Sequence, residues 1–154
     1  MKAKIDEEIF KNLDVKSLSS ASNTIRLADL GCSTGPNTFI AMQNLMEAIK
    51  LKHKSQRPDV SEAPEFQVFF CDRTSNDFNT LFGSIPQAGR EYFPVGVPGS
   101  FHARLFPESS LDFAYTSHAL HWLSKTPEEM LDESSPAWNK GRVHYLNAPR
   151  VSVR

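Results

Sequence analysis

The residue types with the most capacity for chemistry cluster in one stretch, ADLGCSTGPNT, residues 28–38. It holds an acid (Asp29), a thiol (Cys32), hydroxyl and amide side chains and two glycines, Gly31 and Gly35. The apolar run before it, IRLADL, reads as an interior strand of a parallel sheet, covered on both faces. After it, Phe39, Met42, Leu45, Met46 and Ile49 recur at helical spacing, so one face is core. Pro36 suits the first helical turn, where its missing N–H is not needed. A glycine-bearing turn between strand and helix is where α/β proteins hold nucleotide-like ligands. Gly31 lets the strand turn sharply, and Gly35 lets the helix begin without a Cβ in the way.

The spacing is GxxxG, neither GxGxxG nor GxxxxGK[ST]. Pro36 and Asn37 replace the lysine a P-loop needs, which argues against ATP or GTP. Ser33 stands where a dinucleotide pyrophosphate wants its second glycine. Asp29, just before the turn, would repel a phosphate and attract a cationic ligand. At the end of the next strand, Asp72 is placed to accept hydrogen bonds from ribose hydroxyls, farther along the chain than the usual ~20 residues because the connection is long. A cationic ligand with a ribose and no phosphate describes S-adenosylmethionine (SAM).

These residues need a scaffold. Residues 1–20 read as a helix and 19–24 as a loop. The helix that starts at Pro36 carries its apolar face to Ile49, and 50–64 reads as a polar surface connection. EFQVFF (65–70) is a second strand, NDFNTLFGSI (76–85) a short helix, and LDFAYTS (111–117) a third strand. Residues 93–107, rich in Gly and Pro, read as mostly irregular, and 118–125 as a turn or short helix. The order implies an α/β fold with a parallel sheet of three recognisable strands. Ligands in such sheets bind outside the carboxyl ends of the strands. That brings together Asp29 to Gly35, Asp72 with Arg73, Thr116 to His118, and Ser100 with Phe101 from the Gly/Pro loop. The divisions read from sequence are 1–24, an N-terminal helix and loop; 25–125, a ligand-binding α/β core; and 126–154, loop-rich.

Composition narrows the class. The 154 residues carry a formal net charge of −1 and are 40% hydrophobic. No basic excess points to nucleic acid, and no apolar run is long enough to span a bilayer. The charged N-terminus has no signal-peptide core, so the chain reads as cytoplasmic. Cys32 and Cys71 form no CxxC pair and read as reduced thiols. The five histidines include no HExxH, and no zinc ligand set can be assembled.

Taken in order, ADLGCSTGPNT, NDFN, VPGSFHARLFP and ALHWLS resemble the SABATH family of plant methyltransferases over residues 25–147. The resemblance implies a Rossmann-like, SAM-dependent enzyme that methylates the carboxylate of a small plant metabolite. It places Asp29, Gly31, Cys32 and Asn37 at the methionine end of SAM, and Asp72 and Arg73 at the ribose. It also places Ser100 and Phe101 at the adenine, and Ser117, His118 and Ala119 around the cofactor site. His118, His121 and Trp122 would face the acceptor, with Trp122 Nε1–H as a carboxylate donor. No general base is implied, because an ionised carboxylate is already the nucleophile; alignment and water exclusion carry the catalysis. Asn139 matches a position some members use for a magnesium-like ion. A homodimer is implied by analogy with full-length relatives.

The sequence departs from the family pattern in three ways. His118 stands where Tyr or Phe is usual, and Arg73 where an apolar residue is. Members are also roughly twice as long, with an N-terminal Tyr, Asn-Ser and Gln signature and a C-terminal helical cap. The chain therefore reads as truncated at both ends, with the C-terminal strands and cap missing. Two alternatives accompany the methyltransferase reading: an inactive SAM-binding or dimer-forming remnant, and a nicotinamide-dependent oxidoreductase on a similar sheet.

Overall fold

The computed structural model describes residues 2–15, 23–86, 89–136 and 138. By their contacts, two compact units divide the chain, Met1–Ala119 and Leu120–Arg154. The first unit contains all the regular sheet. In chain order its elements are α1 (Lys2–Asn12), β1 (Thr24–Leu30), α2 (Pro36–Gln56), β2 (Glu65–Asp72), α3 (Phe78–Gly83), β3 (Phe93–Pro98) and β4 (Phe113–Tyr115). The second unit, described by itself, holds turns and one 3₁₀ turn at Glu128–Met130. Among the described residues, no helix is long and apolar enough to cross a membrane.

The sheet has four strands in the order β3-β2-β1-β4, and every described pairing is parallel. β1 is interior, and Ile25, Leu27, Ala28 and Asp29 are all buried along it. Its near-continuous apolar character follows from having cover on both faces. β2 pairs with it from Thr24↔Glu65 to Leu30↔Cys71, and β4 from Leu27↔Phe113 to Asp29↔Tyr115. The chain runs outward from β1 to β2 to β3, then returns to the other side of β1 for β4. That reversal makes the carboxyl ends of β1 and β4 a topological switch point, where open α/β sheets hold ligands.

β2 supplies the aromatic centre of the core. Phe66 and Phe70 are fully buried. The Phe70 ring meets Phe39 of α2 edge-on at 5.8 Å, Phe82 of α3 at 6.4 Å and Tyr92 at 6.2 Å. α2 buries Met42, Leu45, Met46 and Ile49. α1 packs on α2 through Ile9, with Lys2 Nζ donating to Glu47 Oε2 at 3.1 Å.

Three elements differ from the sequence reading. Residues 93–98, read as irregular, form β3: Phe93, Val95 and Val97 alternate with Pro94, Gly96 and Pro98, and Gln67↔Phe93 to Asp72↔Pro98 is its register. Proline is tolerated there because the strand lies at the sheet edge. α2 runs to Gln56, well past Ile49, because His53 continues its buried stripe one turn further. Lys, Leu and Ser in between do not break a helix. The third strand read at 111–117 narrows to Phe113–Tyr115. Asp112 before it is used to clamp β1: its Oδ2 accepts from Arg26 N at 2.7 Å, and its own N–H donates to Arg26 O at 3.0 Å.

The three-element cluster around Phe70 predicts that Phe70→Ala costs about 3–5 kcal/mol. That is a large part of the stability of a small domain. Guanidinium unfolding followed by circular dichroism should show a large fall in midpoint.

Candidate functional site

The carboxyl end of β1 is bent by Gly31, whose φ is +87°. A Cβ there would meet the Ala119 Cβ at 2.4 Å, so both the conformation and the space exclude a side chain. Gly31 N–H and Cys32 N–H both donate to Cys71 O, at 2.8 and 3.1 Å, which ties the turn to the end of β2. Gly35 behaves otherwise. As the N-cap of α2 it has φ −81° and ψ 166°, and a Cβ added there would find nothing within 4 Å. The freedom from a Cβ ascribed to it from sequence is not used; any residue with an extended backbone fits. Pro36 opens the helix as expected.

Ser33 takes the left-handed conformation, φ +54°. Its N–H donates to Asp72 Oδ2 at 2.7 Å, while Arg73 N–H donates to Asp72 Oδ1, also at 2.7 Å. Asp72 thus holds the turn by its backbone. Each of its oxygens keeps a further lone pair for a ligand hydroxyl.

Asp29 is 4% exposed. Thr38, from the first turn of α2, donates its hydroxyl to Asp29 Oδ2. Burial raises the Asp29 carboxyl to about 6, with Asp72 adding to the rise and Thr38 opposing it. The positive end of α2 also favours the charged form. An acid titrating near neutrality in a cleft marks a functional-site candidate. Cys32 and Cys71 are pushed the wrong way for a nucleophile. Burial, then Asp29, then Asp72, hold the Cys32 thiol far above its usual range, and burial followed by the same two acids raises Cys71 to about 12. Both stay protonated, so neither competes for an electrophile.

An open cleft of about 280 Å³ lies over these groups. Asp29, Gly31, Cys32, Asn37, Ser117 and His118, six of the residues singled out from sequence, line it. Ala119 backs it through its contact with Gly31. Ser33 and Gly35, grouped with Asp29 at the end of the first strand, line it too, while Thr38, Ala41 and Tyr115 form part of the wall and were not assigned to the site from sequence. Helical phase could have found Thr38 and Ala41, which lie on the α2 face that leads to Leu45. A second hollow of about 240 Å³ shares Asn37, Ala41, Tyr115, Ser117 and His118 and extends toward Lys2, Ile5 and Asp6 of α1. His118, at φ +58°, lies on the wall common to both.

The other expected residues lie elsewhere. Asp72, Arg73, Ser100 and Phe101 are on the neighbouring strand ends, outside the lining of that cleft. Gly99 N–H donates to Asp72 O at 2.7 Å, which brings the Ser100 loop beside β2. The Phe101 ring lies 4.6 Å from that of His102. His121 and Trp122 belong to the second unit, with ring centroids 5.5 Å apart and Trp122 exposed. Asn139 lies outside the described residues. Among the described residues no group of three His, Cys, Asp or Glu could hold a metal ion.

The family model for SAM-dependent carboxyl methyltransferases matches residues 1–154. The chain belongs to that family. It is 49% identical over 155 aligned positions to loganic acid O-methyltransferase of Catharanthus roseus, an alignment that covers 99% of this chain and 40% of the relative. It is 48% identical to farnesoic acid carboxyl-O-methyltransferase of Arabidopsis thaliana, covering 99% and 42%. A solved loganic acid methyltransferase with SAH superposes with a TM-score of 0.76 at 51% identity, over 92% of this chain and 39% of that one. The chain thus spans about 40% of the length of these relatives. The Rossmann-like methyltransferase fold read from sequence is present, as is the family. Membership sets the nicotinamide alternative aside.

The two glycines of the turn should respond differently to substitution. Gly31→Ala should cost about 2–4 kcal/mol, from the left-handed backbone and the Ala119 collision, whereas Gly35→Ala should stay within about 1 kcal/mol. Denaturant midpoints for the pair separate them. Asp29 binds its proton more tightly folded than unfolded, so its contribution is full below pH 4 and lost as pH rises through about 6. Asp29→Asn should therefore stabilise the ligand-free chain by about 1–3 kcal/mol at pH 7.5 and little at pH 4, measured by urea unfolding at the two pH values.

Proposed function

We propose that this chain forms the cofactor-binding part of an enzyme that transfers a methyl group from SAM to the carboxylate of a small plant acid. The observation that carries the reading is the buried Asp29 carboxylate on the wall of the switch-point cleft. Its charge suits the cationic methionine end of SAM and opposes a phosphate. The donor set fits the cofactor: a carboxylate for a cation, a second acid on the adjacent strand for ribose, and a turn with no Cβ at Gly31. The solved relative with SAH supports a cofactor of this class.

In this reading Asp29, Gly31, Cys32 and Asn37 hold the methionine end. Asp72 and Arg73 flank the ribose, Ser100 and Phe101 the adenine, and Ser117, His118 and Ala119 close the site. His118, His121 and Trp122 are assigned to the acceptor on the family resemblance. When bound, SAM supplies a methyl group on a sulfonium, and leaves as SAH. The protein's part is to align and to exclude water: the ionised acceptor needs no base, so no residue has to remove a proton. The protonated Cys32 and Cys71 keep the methyl group from being lost to the protein itself. Relatives named for loganic and farnesoic acids favour a carboxylic acid as acceptor. A homodimer, by analogy with the family, and a cytoplasmic location, from the charged N-terminus and the free thiols, complete the proposal.

Calorimetric titration of SAH into the 154-residue chain, beside Asp29→Ala, tests the reading. Saturable binding that weakens at least about tenfold in the variant is expected. A chain that is folded by circular dichroism yet binds nothing would overturn it. Incubation with SAM and loganic or farnesoic acid, read as methyl ester by mass spectrometry, tests the transfer.

A further inference from the structure

We propose that Thr38 is a positioning residue of the cleft: its hydroxyl, donated across from α2, fixes the Asp29 carboxylate and keeps it charged for the cationic end of the cofactor. The role rests on the cofactor reading above, and no feature of the sequence motif singled Thr38 out. The geometry supports it in three ways. Thr38 is 4% exposed and Asp29 equally so, so no solvent competes for this hydrogen bond. Both residues line the same cleft. And the bond is made to Oδ2, which leaves Oδ1 to be offered to a ligand.

Apart from the positive end of α2, the remaining surroundings oppose a charge on Asp29 or leave it unaided. Phe70 is its register neighbour on β2 and Tyr115 on β4. Asp72, at the end of β2, disfavours a second negative charge nearby. Cys32 from the turn and Cys71 from β2 are neutral thiols. His118 faces the same cleft from the β4 side. Among the described residues, no lysine or arginine lines it. Among side chains, this one hydroxyl therefore does here what an ion pair does in other buried sites. A ligand cation would be the second stabilising partner, and a carboxylate held in one rotamer by Thr38 presents its other oxygen to that ligand without reorganisation.

The test uses Thr38→Val, similar in shape without the hydroxyl, and Thr38→Ser, which keeps it. Carboxyl ¹³C NMR reads the titration of Asp29 directly, without ligand. Calorimetry with SAM and with SAH reads affinity across mildly acidic to mildly basic pH. The wild-type affinity should fall as pH drops through about 6, because protonation removes the charge. Thr38→Val should move the Asp29 midpoint and this acid limb together to higher pH. It should weaken binding at neutral pH about tenfold. Thr38→Ser should restore both to within about twofold, on the same reasoning that the hydroxyl alone matters.

An Asp29 midpoint that stays put in Thr38→Val would overturn the proposal, whatever the affinity does. So would a Ser variant that titrates like the Val one. Should the Val chain be too unstable to study, a Ser variant whose midpoint rises well above the wild-type value overturns it by itself. A wild-type chain whose Asp29 titrates as described but which binds neither SAM nor SAH overturns the cofactor reading, and this role falls with it. A shifted midpoint with an unshifted binding limb leaves the cofactor reading intact and removes Thr38 alone.

Discussion

The hydrogen bond from Thr38 to Asp29 joins the central strand to the longest helix at the point where both meet the cleft. A carboxylate buried at that point is unfavourable for the isolated fold. Desolvation opposes its charge, and the nearby Asp72 opposes it again. The rest of the architecture accommodates the group without neutralising it. β1 is packed between β2 and β4, which fixes the backbone of Asp29 together with that of Leu27 and Ala28. The N-terminal end of α2 contributes its hydroxyl and its dipole. Buried acids of this kind are tolerated in natural proteins where function needs them, and the instability they bring is offset by the core elsewhere.

The aromatic core around Phe70 is what makes that offset possible. It fixes β2 against α2 and α3, and so fixes Cys71 and Asp72 at the end of β2. Those two residues then hold the turn after β1 by its backbone N–H groups: Cys71 O receives those of Gly31 and Cys32, and the Asp72 carboxylate receives that of Ser33. The cleft is therefore assembled from neighbouring strand ends, and the packing below it sets its shape.

Much of this was legible in the sequence, and for physical reasons. An interior parallel strand must be apolar throughout, so IRLADL announced β1. A sharp exit demands a left-handed residue, so Gly31 was conspicuous. Asp29 and Asp72 stood out as acids at the ends of apolar runs. β3 was hidden because an edge strand may carry Pro and Gly, the residues that usually signal a loop. Gly35 misled for the opposite reason, being a glycine in a place that does not require one. Helical phase could place Thr38 on the buried face of α2, but its bond to Asp29 is a contact between elements that local spacing does not encode. The placement of β4 beside β1, which creates the switch point, depends on pairing that no single segment encodes.

The contact between Gly31 and Ala119 has a consequence for how the sequence can drift. The space between the turn after β1 and the segment after β4 admits one methyl group, and Ala119 fills it. The two positions thus behave as a single volume shared between distant parts of the chain. A larger residue at 119 would press on the turn that carries Cys32 and Ser33, and a smaller one would loosen it. Even an exchange that moved the methyl group to position 31 would leave a side chain on a left-handed backbone. The pair is locked in one direction, so substitutions at 119 should track the geometry of a cleft on whose wall Ala119 presents no functional group of its own.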